Sequence, residues 1–381
     1  MNTNKMDWSP QKNVTPHLAW GLPQGFPERI DCLFGKRKTE PSAKSKMRSQ
    51  MTAEIRNSDT SKAARISALL PESIGDFLLV SPSLNSLNQH FKNSKITWYL
   101  PESISEISKL LSLRAKKILF TFGKNKTAKA DPVPDITLCF PPAVKYYRLA
   151  RQIGGTIRAG YAHEKMLSCR FVSRMALTHC WVCRADSKIH ELEAYGKILS
   201  TLNIPFYPSF PELNLSAKSV TQAETWISEN TRLQTPKIIA IHLGSRWAEN
   251  PLPFFKDLLT HDSDFFLLTL YASDEEKKAS EWISEFRQEN GSKKILAPGL
   301  LSLEQYACYL KSCQIFIGVD GGPVHLASIL KKPVIVFYPI DQFDFRVMKW
   351  HPWGVQYKAF PLLKKSLISV PDAVLALLNW F

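Results

Sequence analysis

QIFIGVDGGPVHLASILKKP, residues 314–333, carries the strongest structural signal of the chain. An apolar run ends in Asp-Gly-Gly-Pro and passes directly into a helical pattern, which predicts a strand over 314–319, a tight turn and a helix over 323–331. Gly321 and Gly322 permit backbone angles and a close approach that other residues resist, and Pro323 suits a first helical turn, where its missing N–H is not needed. The amides of Val324, His325 and Leu326 are then expected to point outward from a helix start that carries partial positive charge and binds phosphate. Asp320 adds an acceptor for sugar hydroxyls and His325 a further donor, so these residues point to a nucleotide or nucleotide-sugar site. The plainer reading is a strand-to-helix turn of any α/β protein, with His325 an ordinary surface or core histidine.

On either side of this segment strands and helices alternate, as a parallel sheet requires. The second half predicts helices over 218–230, 253–260, 274–288 and 302–312 and strands over 237–243, 264–271, 293–297 and 333–338. The first half predicts a strand from Arg65, a helix over 77–91, strands over 95–100, 118–122 and 136–140, and helices over 145–152 and 190–202. The Pro-rich PFYPSFPEL, residues 205–213, separates them. The expected organisation is a basic tail over 1–60 without periodicity, one α/β domain over 61–213 and a second over 214–381, whose final helix, 370–381, packs back on the first. Ligands of such sheets sit outside the carboxyl ends of the strands, which places the site in a cleft between the halves.

A length of 381 residues suits two domains with proper cores. No apolar run approaches the roughly 18 residues that cross a bilayer, so the chain reads as cytoplasmic, at most peripheral on the cytoplasmic face of the inner membrane. The formal charge of +15 favours an anionic partner. The basic residues are spread rather than gathered on one recognition helix, so nucleic acid ranks below a phospholipid surface or a phosphorylated glycan. Seven cysteines without a recognisable secretory signal fit a reducing compartment. Cys180-x-x-Cys183 has zinc-ligand spacing, but the second ligand pair would have to come from Cys169 and a histidine; buried thiols are the default and no metal or cofactor is expected.

Two further turns carry chemistry. Ser73-Ile74-Gly75-Asp76 follows the first strand, with Asp76 at a helix start: a helix N-cap on the plain reading, a base on the functional one. In IIAIHLGSRWAENPLPFFKDLL, residues 238–259, a strand runs into Gly244 and Ser245 and then a Pro-led helix. Around Gly154-Gly155 stand Arg148, Arg151, Arg158, Lys165, Arg170 and Arg174, ordinary solvated charges unless several face the cleft and clamp an anionic acceptor.

Together these segments resemble the heptosyltransferase family of bacterial lipopolysaccharide synthesis, glycosyltransferase family 9. The donor signature Asp-(Ser/Thr)-Gly-x-x-His-x-Ala is matched by Asp320, Gly321, Gly322, Pro323, Val324, His325, Leu326 and Ala327, with Gly321 in place of Ser or Thr. The opening Ser-(Ile/Leu)-Gly-Asp is matched by Ser73 to Asp76. The resemblance implies a GT-B architecture, two Rossmann-like domains facing across a cleft, and inverting, metal-independent transfer of a sugar, heptose from ADP-heptose first among them, to an anionic lipid-linked glycan. It implies Asp76 as the base on the acceptor hydroxyl. Donor contacts fall to Ser245, Arg246, Asp320, Gly321, Gly322, Val324 and His325, with Glu275, or Glu276 one position on, at the ribose, and acceptor contacts to Arg148 and Arg151. Two departures stand out. Asn250-Pro251-Leu252-Pro253 occupies the family's Lys-x-Trp-Pro, so Arg246 would have to supply the missing positive charge; and Tyr338 and Ile340 stand where Gly and Thr are typical. The alternatives are a transferase of the same fold with another nucleotide sugar or a protein acceptor, and a catalytically silent nucleotide-sugar-binding scaffold.

Overall fold

The computed structural model describes residues 65–122, 132–184, 187–233, 236–256, 259, 265–290, 294–363 and 372–374. Two six-stranded sheets form, each with every strand pair parallel. The first contains β1 (Arg65–Leu69), β2 (Lys95–Pro101), β3 (Lys116–Phe120), β4 (Ile136–Cys139), β5 (Ile157–His163) and β6 (His179–Cys183), in the order β3-β2-β1-β4-β5-β6. The second contains β7 (Lys237–His242), β8 (Phe265–Leu270), β9 (Ile295–Leu296), β10 (Ile315–Val319), β11 (Val334–Tyr338) and β12 (Tyr357–Pro361), in the order β12-β11-β10-β7-β8-β9. Both orders are the doubly wound one, with the first strand of each sheet at its centre and a crevice where the winding reverses. Strands such as FFLLTL and IFIGV are buried along their whole length because helices cover both faces of such a sheet.

The first sheet carries helices α1 (Ile74–His90), α2 (Ser105–Leu110), α3 (Val144–Ile153), α4 (Leu167–Ala176) and α5 (Glu191–Ser200). With the second go α6 (Ala217–Thr231), α7 (Glu276–Asn290), α8 (Leu303–Lys311), α9 (Gly322–Ile329) and α10 (Phe343–Trp350). Helix α1 continues through Pro82, whose missing N–H leaves the Leu78 carbonyl without its helical partner. The Ser81 hydroxyl donates to that carbonyl at 2.7 Å, which repairs the break. One hydrophobic cluster runs from α1 and α5 into α8 and α9, so the two halves share a core at their junction. The junction is pinned by His190, whose Nδ1 accepts from the Leu192 amide at 3.2 Å, leaving Nε2 to donate to the His351 carbonyl at 3.0 Å.

Several expected elements need correction. Strands β5 and β6 and helix α4 replace what reads in the sequence as a basic turn region, and α10 and β12 follow where no element is assigned. Strand β5 is rich in Ala and Gly because it lies tight against its neighbours: a Cβ on Gly160 would come within 2.9 Å of the Cys139 carbonyl oxygen and Leu177. Small residues carry little strand signal, so the packing that demands them also hides the strand. The helix expected over 253–260 begins as a 3-10 turn, Leu252–Phe255. Cys180 and Cys183 lie on one strand, which turns residues three apart to opposite faces, so their spacing has no chelating meaning. The tail over 1–60 lies outside the described residues, as does most of the final helix; Ala373 and Val374 are buried in a cluster of the second sheet.

Candidate functional site

A cavity of about 1150 Å³ opens between the carboxyl edges of the two sheets. Its walls come from the segments that follow β1 and β2 of the first sheet and β7, β8 and β10 of the second. At its floor α1 and α9 meet start to start. A Cβ on Gly75 would lie 3.3 Å from His325 Cδ2 and 3.5 Å from Gly322 Cα, and one on Gly322 would lie 3.3 Å from Ile74 Cγ2. Both glycines are needed for this approach rather than for unusual backbone angles; Gly321 itself is extended, with φ 166°. Two helix starts therefore direct partial positive charge into one space.

Ser73, not Asp76, is the N-cap of α1: its hydroxyl accepts from the Asp76 amide at 3.1 Å and donates to the Asp76 carboxylate at 2.7 Å. Asp76 is thus in the first turn of the helix and lines the cavity. Burial raises its pKa above the ordinary value, the Ser73 bond opposes the rise, and the charge of Asp320 adds to it. The result is a carboxylate with more affinity for a proton than a solvated one has.

Asp320 sits at the end of β10, held at both ends by arginines. Its backbone carbonyl accepts from Arg246, and its carboxylate accepts from Arg346 Nη1 at 2.6 Å. His325 is 3 % exposed and Nδ1 has no hydrogen-bond partner among the described residues. Burial, with His351 adding to it, lowers its pKa to about 4, so the imidazole is neutral at physiological pH. His325 lines the cavity, and its buried, partnerless nitrogen leaves an unmet hydrogen-bonding demand at that wall.

The Gly244–Trp247 loop is organised by Glu275. Its Oε1 accepts from the Ser245 amide at 2.8 Å, and its Oε2 accepts from the Ala272 amide at 3.1 Å and from His242 Nε2 at 3.2 Å. Burial alone would raise this carboxyl, but the hydrogen bond and charge of His242 and the two amides together hold it at about 2. Tyr306 lies behind His242, its hydroxyl 3.2 Å from Nδ1. Trp247 anchors the far side of the loop by donating from Nε1 to the His242 carbonyl at 2.6 Å.

Of the residues expected at the site, Asp76, Ser245, Arg246, Glu275, Asp320, Gly321, Gly322 and His325 line this one cavity. Three do not. Val324 is buried and its amide is engaged by the Gly321 carbonyl at 3.2 Å, because the first turn of α9 closes on itself. Arg148 and Arg151 are exposed on α3, and neither is among the cavity's lining residues. Glu276 is the first residue of α7 and is not in the lining either. Asn250 is turned away: it donates to Glu285 at 3.3 Å and its Oδ1 accepts from the Leu252 amide at 3.0 Å. The wall contributed by the first sheet is formed instead by Glu102, Glu106 and Lys109, together with the Ser73–Asp76 turn. Sequence reasoning also missed Arg346, for which no motif exists, and His242, whose place at the end of the central strand β7 was the available signal.

A sequence profile of glycosyltransferase family 9 (heptosyltransferase) matches residues 135–366. Among solved structures, E. coli ADP-heptose lipopolysaccharide heptosyltransferase II superposes with a TM-score of 0.65 at 15 % identity, over 83 % of this chain and 98 % of that one. A glycosyl transferase family 9 protein from Veillonella parvula gives 0.65 at 17 % identity, over 84 % and 98 % of the two chains. E. coli heptosyltransferase WaaC with ADP gives 0.58 at 16 % identity, over 83 % and 97 %. At these identities the likeness is one of fold, the GT-B arrangement of two Rossmann-like domains. No curated protein matches the sequence.

Proposed function

This chain belongs to glycosyltransferase family 9, the heptosyltransferases, and on that footing we propose that it transfers heptose from ADP-heptose, with inversion and without a metal ion, to a hydroxyl of a lipid-linked glycan such as a lipopolysaccharide core. The observation that carries this reading is the convergence of Asp76 with the Asp320–His325 helix start in one cavity, across the Gly75–Gly322 contact. The solved relative that holds ADP supports an adenine nucleotide as the first donor to test.

In this mechanism Asp76 accepts the proton of the acceptor hydroxyl as the oxygen attacks the anomeric carbon in line. Its raised proton affinity suits that task, and Ser73 holds one carboxylate oxygen in place. The departing diphosphate develops negative charge at the start of α9. There the helix dipole, the Ser245 hydroxyl, the His325 ring N–H and the Arg246 guanidinium supply donors already in position, with Arg346 behind Asp320. Arg246 and a helix terminus take the place of the divalent cation used by other transferases, the Arg346 charge being balanced by the Asp320 carboxylate. Glu275 is engaged by three protein donors, so its role is to hold the Ser245 loop, and a ribose hydroxyl would have to share it. The acceptor wall sets two carboxylates, Glu102 and Glu106, against one ammonium, Lys109, which favours a hydroxyl-rich saccharide over a densely phosphorylated one at the reacting position.

The test is a thermal-shift panel of ADP-, UDP-, GDP- and CMP-sugars, followed by transfer with the donor that binds. Stabilisation by ADP-heptose well beyond the others is expected. Preference for a different nucleotide would overturn the donor assignment while leaving the family intact.

A further inference from the structure

Helix α4 is turned inside out. Its inward residues are Cys169, Ser173 and Ala176, whereas Leu167, Phe171 and Met175 are 74 %, 66 % and 52 % exposed. The spacing of four places these three large side chains in one stripe. A helix covering a sheet normally buries such residues, and the other large exposed apolar residues among those described are mostly scattered singly, which is ordinary. The stripe is set in positive charge. Lys165 and Arg174 are exposed beside it, and α3, packed against α4, presents Arg148 and Arg151 outward. From 144 to 176 the sequence has seven Lys or Arg against a single acid, Glu164; Lys145, Arg148, Arg151, Lys165 and Arg174 are exposed, whereas Arg158 donates to the Gly155 and Ala176 carbonyls.

We infer that the α3–α4 face is a docking surface for a bilayer with anionic headgroups, into which Leu167, Phe171 and Met175 insert while the surrounding Lys and Arg contact lipid phosphates. Apolar side chains in line on one face, ringed by cations, match the two attractions that hold an interfacial helix: acyl-chain contact and the negative surface potential. A protein partner would also accept the apolar stripe, but the one-sided charge is complementary to a uniformly negative surface. The face also adjoins the cleft. Lys145 at the start of α3 donates to Glu72 at 2.5 Å, and Glu72 immediately precedes Ser73 on the cavity rim. Docked this way, the acceptor side of the cleft opens near the bilayer. That functional sense rests on the lipid-linked acceptor proposed above; the surface itself does not.

The test is co-sedimentation of the full chain with vesicles of phosphatidylcholine alone or mixed with phosphatidylglycerol, for the parent and for a Leu167→Ser/Phe171→Ser variant. The parent is expected to pellet with the anionic vesicles, about tenfold or more tighter than with phosphatidylcholine, and to be weakened by salt. The variant should lose about tenfold or more of that binding while keeping the parent's melting temperature and its thermal shift with ADP. Three results overturn the proposal: a parent that stays in the supernatant, a variant that pellets as well as the parent, or a parent that is a dimer which the variant converts to a monomer. The nucleotide shift, read on the same samples, reports on the donor site separately.

Discussion

Replacing Glu275 by Gln tests whether the donor loop is held by the charge its surroundings are built to receive. A carboxyl lowered from its ordinary 4.5 to about 2 contributes on the order of 3 kcal/mol at neutral pH, at about 1.4 kcal/mol per tenfold change in proton affinity. The side chain is 11 % exposed, so solvent screening removes little of this. Gln cannot stand in for it. One face of the carboxylate receives the Ser245 amide and the other receives Ala272 and His242, so the Gln NH₂ must be set against donors on one side or the other. Nor can the loop shift to relieve this, because Gly244 already approaches the carboxylate so closely that a Cβ there would lie 2.9 Å from Oε1. The variant should be less stable by about 3 kcal/mol, a melting temperature roughly 6–12 °C lower for a domain of this size. Because the folded-state value is depressed, the contribution is complete above the unfolded value of 4.5 and disappears as pH falls toward about 2. The gap between parent and variant should therefore narrow by about 1.4 kcal/mol at one pH unit below the unfolded value. Urea unfolding at neutral and acid pH measures both quantities. A neutral-pH gap under about 1 kcal/mol, or one that does not change with pH, would show that the Glu275 charge does not hold the loop.

Asp76→Asn should lower the transfer rate by about 10²- to 10⁴-fold with nucleotide affinity unchanged. Since burial raises the Asp76 pKa, the fold favours its neutral form, so this variant should be at least as stable as the parent at neutral pH, with the difference vanishing in acid; a clear loss of stability there would return Asp76 to a purely structural role. Arg246→Ala should lower turnover by about 10- to 1000-fold, whereas Asn250→Lys should change little because Asn250 faces Glu285 rather than the cavity; a large gain from Asn250→Lys would show the loop assignment to be wrong. His325→Ala removes a neutral donor to a charged diphosphate and should weaken ADP binding by about 1.5–3 kcal/mol in calorimetry; unchanged affinity would remove His325 from the donor site.

The segments legible in the amino-acid sequence are those in which chemistry is local. The strand, turn and helix around Asp320, the Gly75–Asp76 turn and the Gly244–Ser245 turn announce themselves because Gly, Pro and alternating apolar runs act on neighbouring residues. Their elements fall within a few residues of expectation. The basic residues are harder to place. Arg148 and Arg151 have the right charge for an acceptor clamp, but which way α3 faces depends on its packing against α4 and β4, and that packing turns both outward.

The alternation that makes two parallel sheets, and the identity of the turns that end their central strands, follow from the order of residues alone. Which side chains meet there is a property of the packed molecule. Asp76 and His325 are separated by nearly the whole of the first sheet and most of the second, yet Gly75 and Gly322 bring their helix starts into contact. Arg346 finds Asp320 from a helix without a motif, and Glu275 directs its charge to His242 and two amides rather than to solvent. The physical reason is that a turn's conformation is set by forces acting over a few bonds, whereas a carboxylate's proton affinity and an arginine's partner are set by burial and by charges that only the packed core brings within a few ångströms.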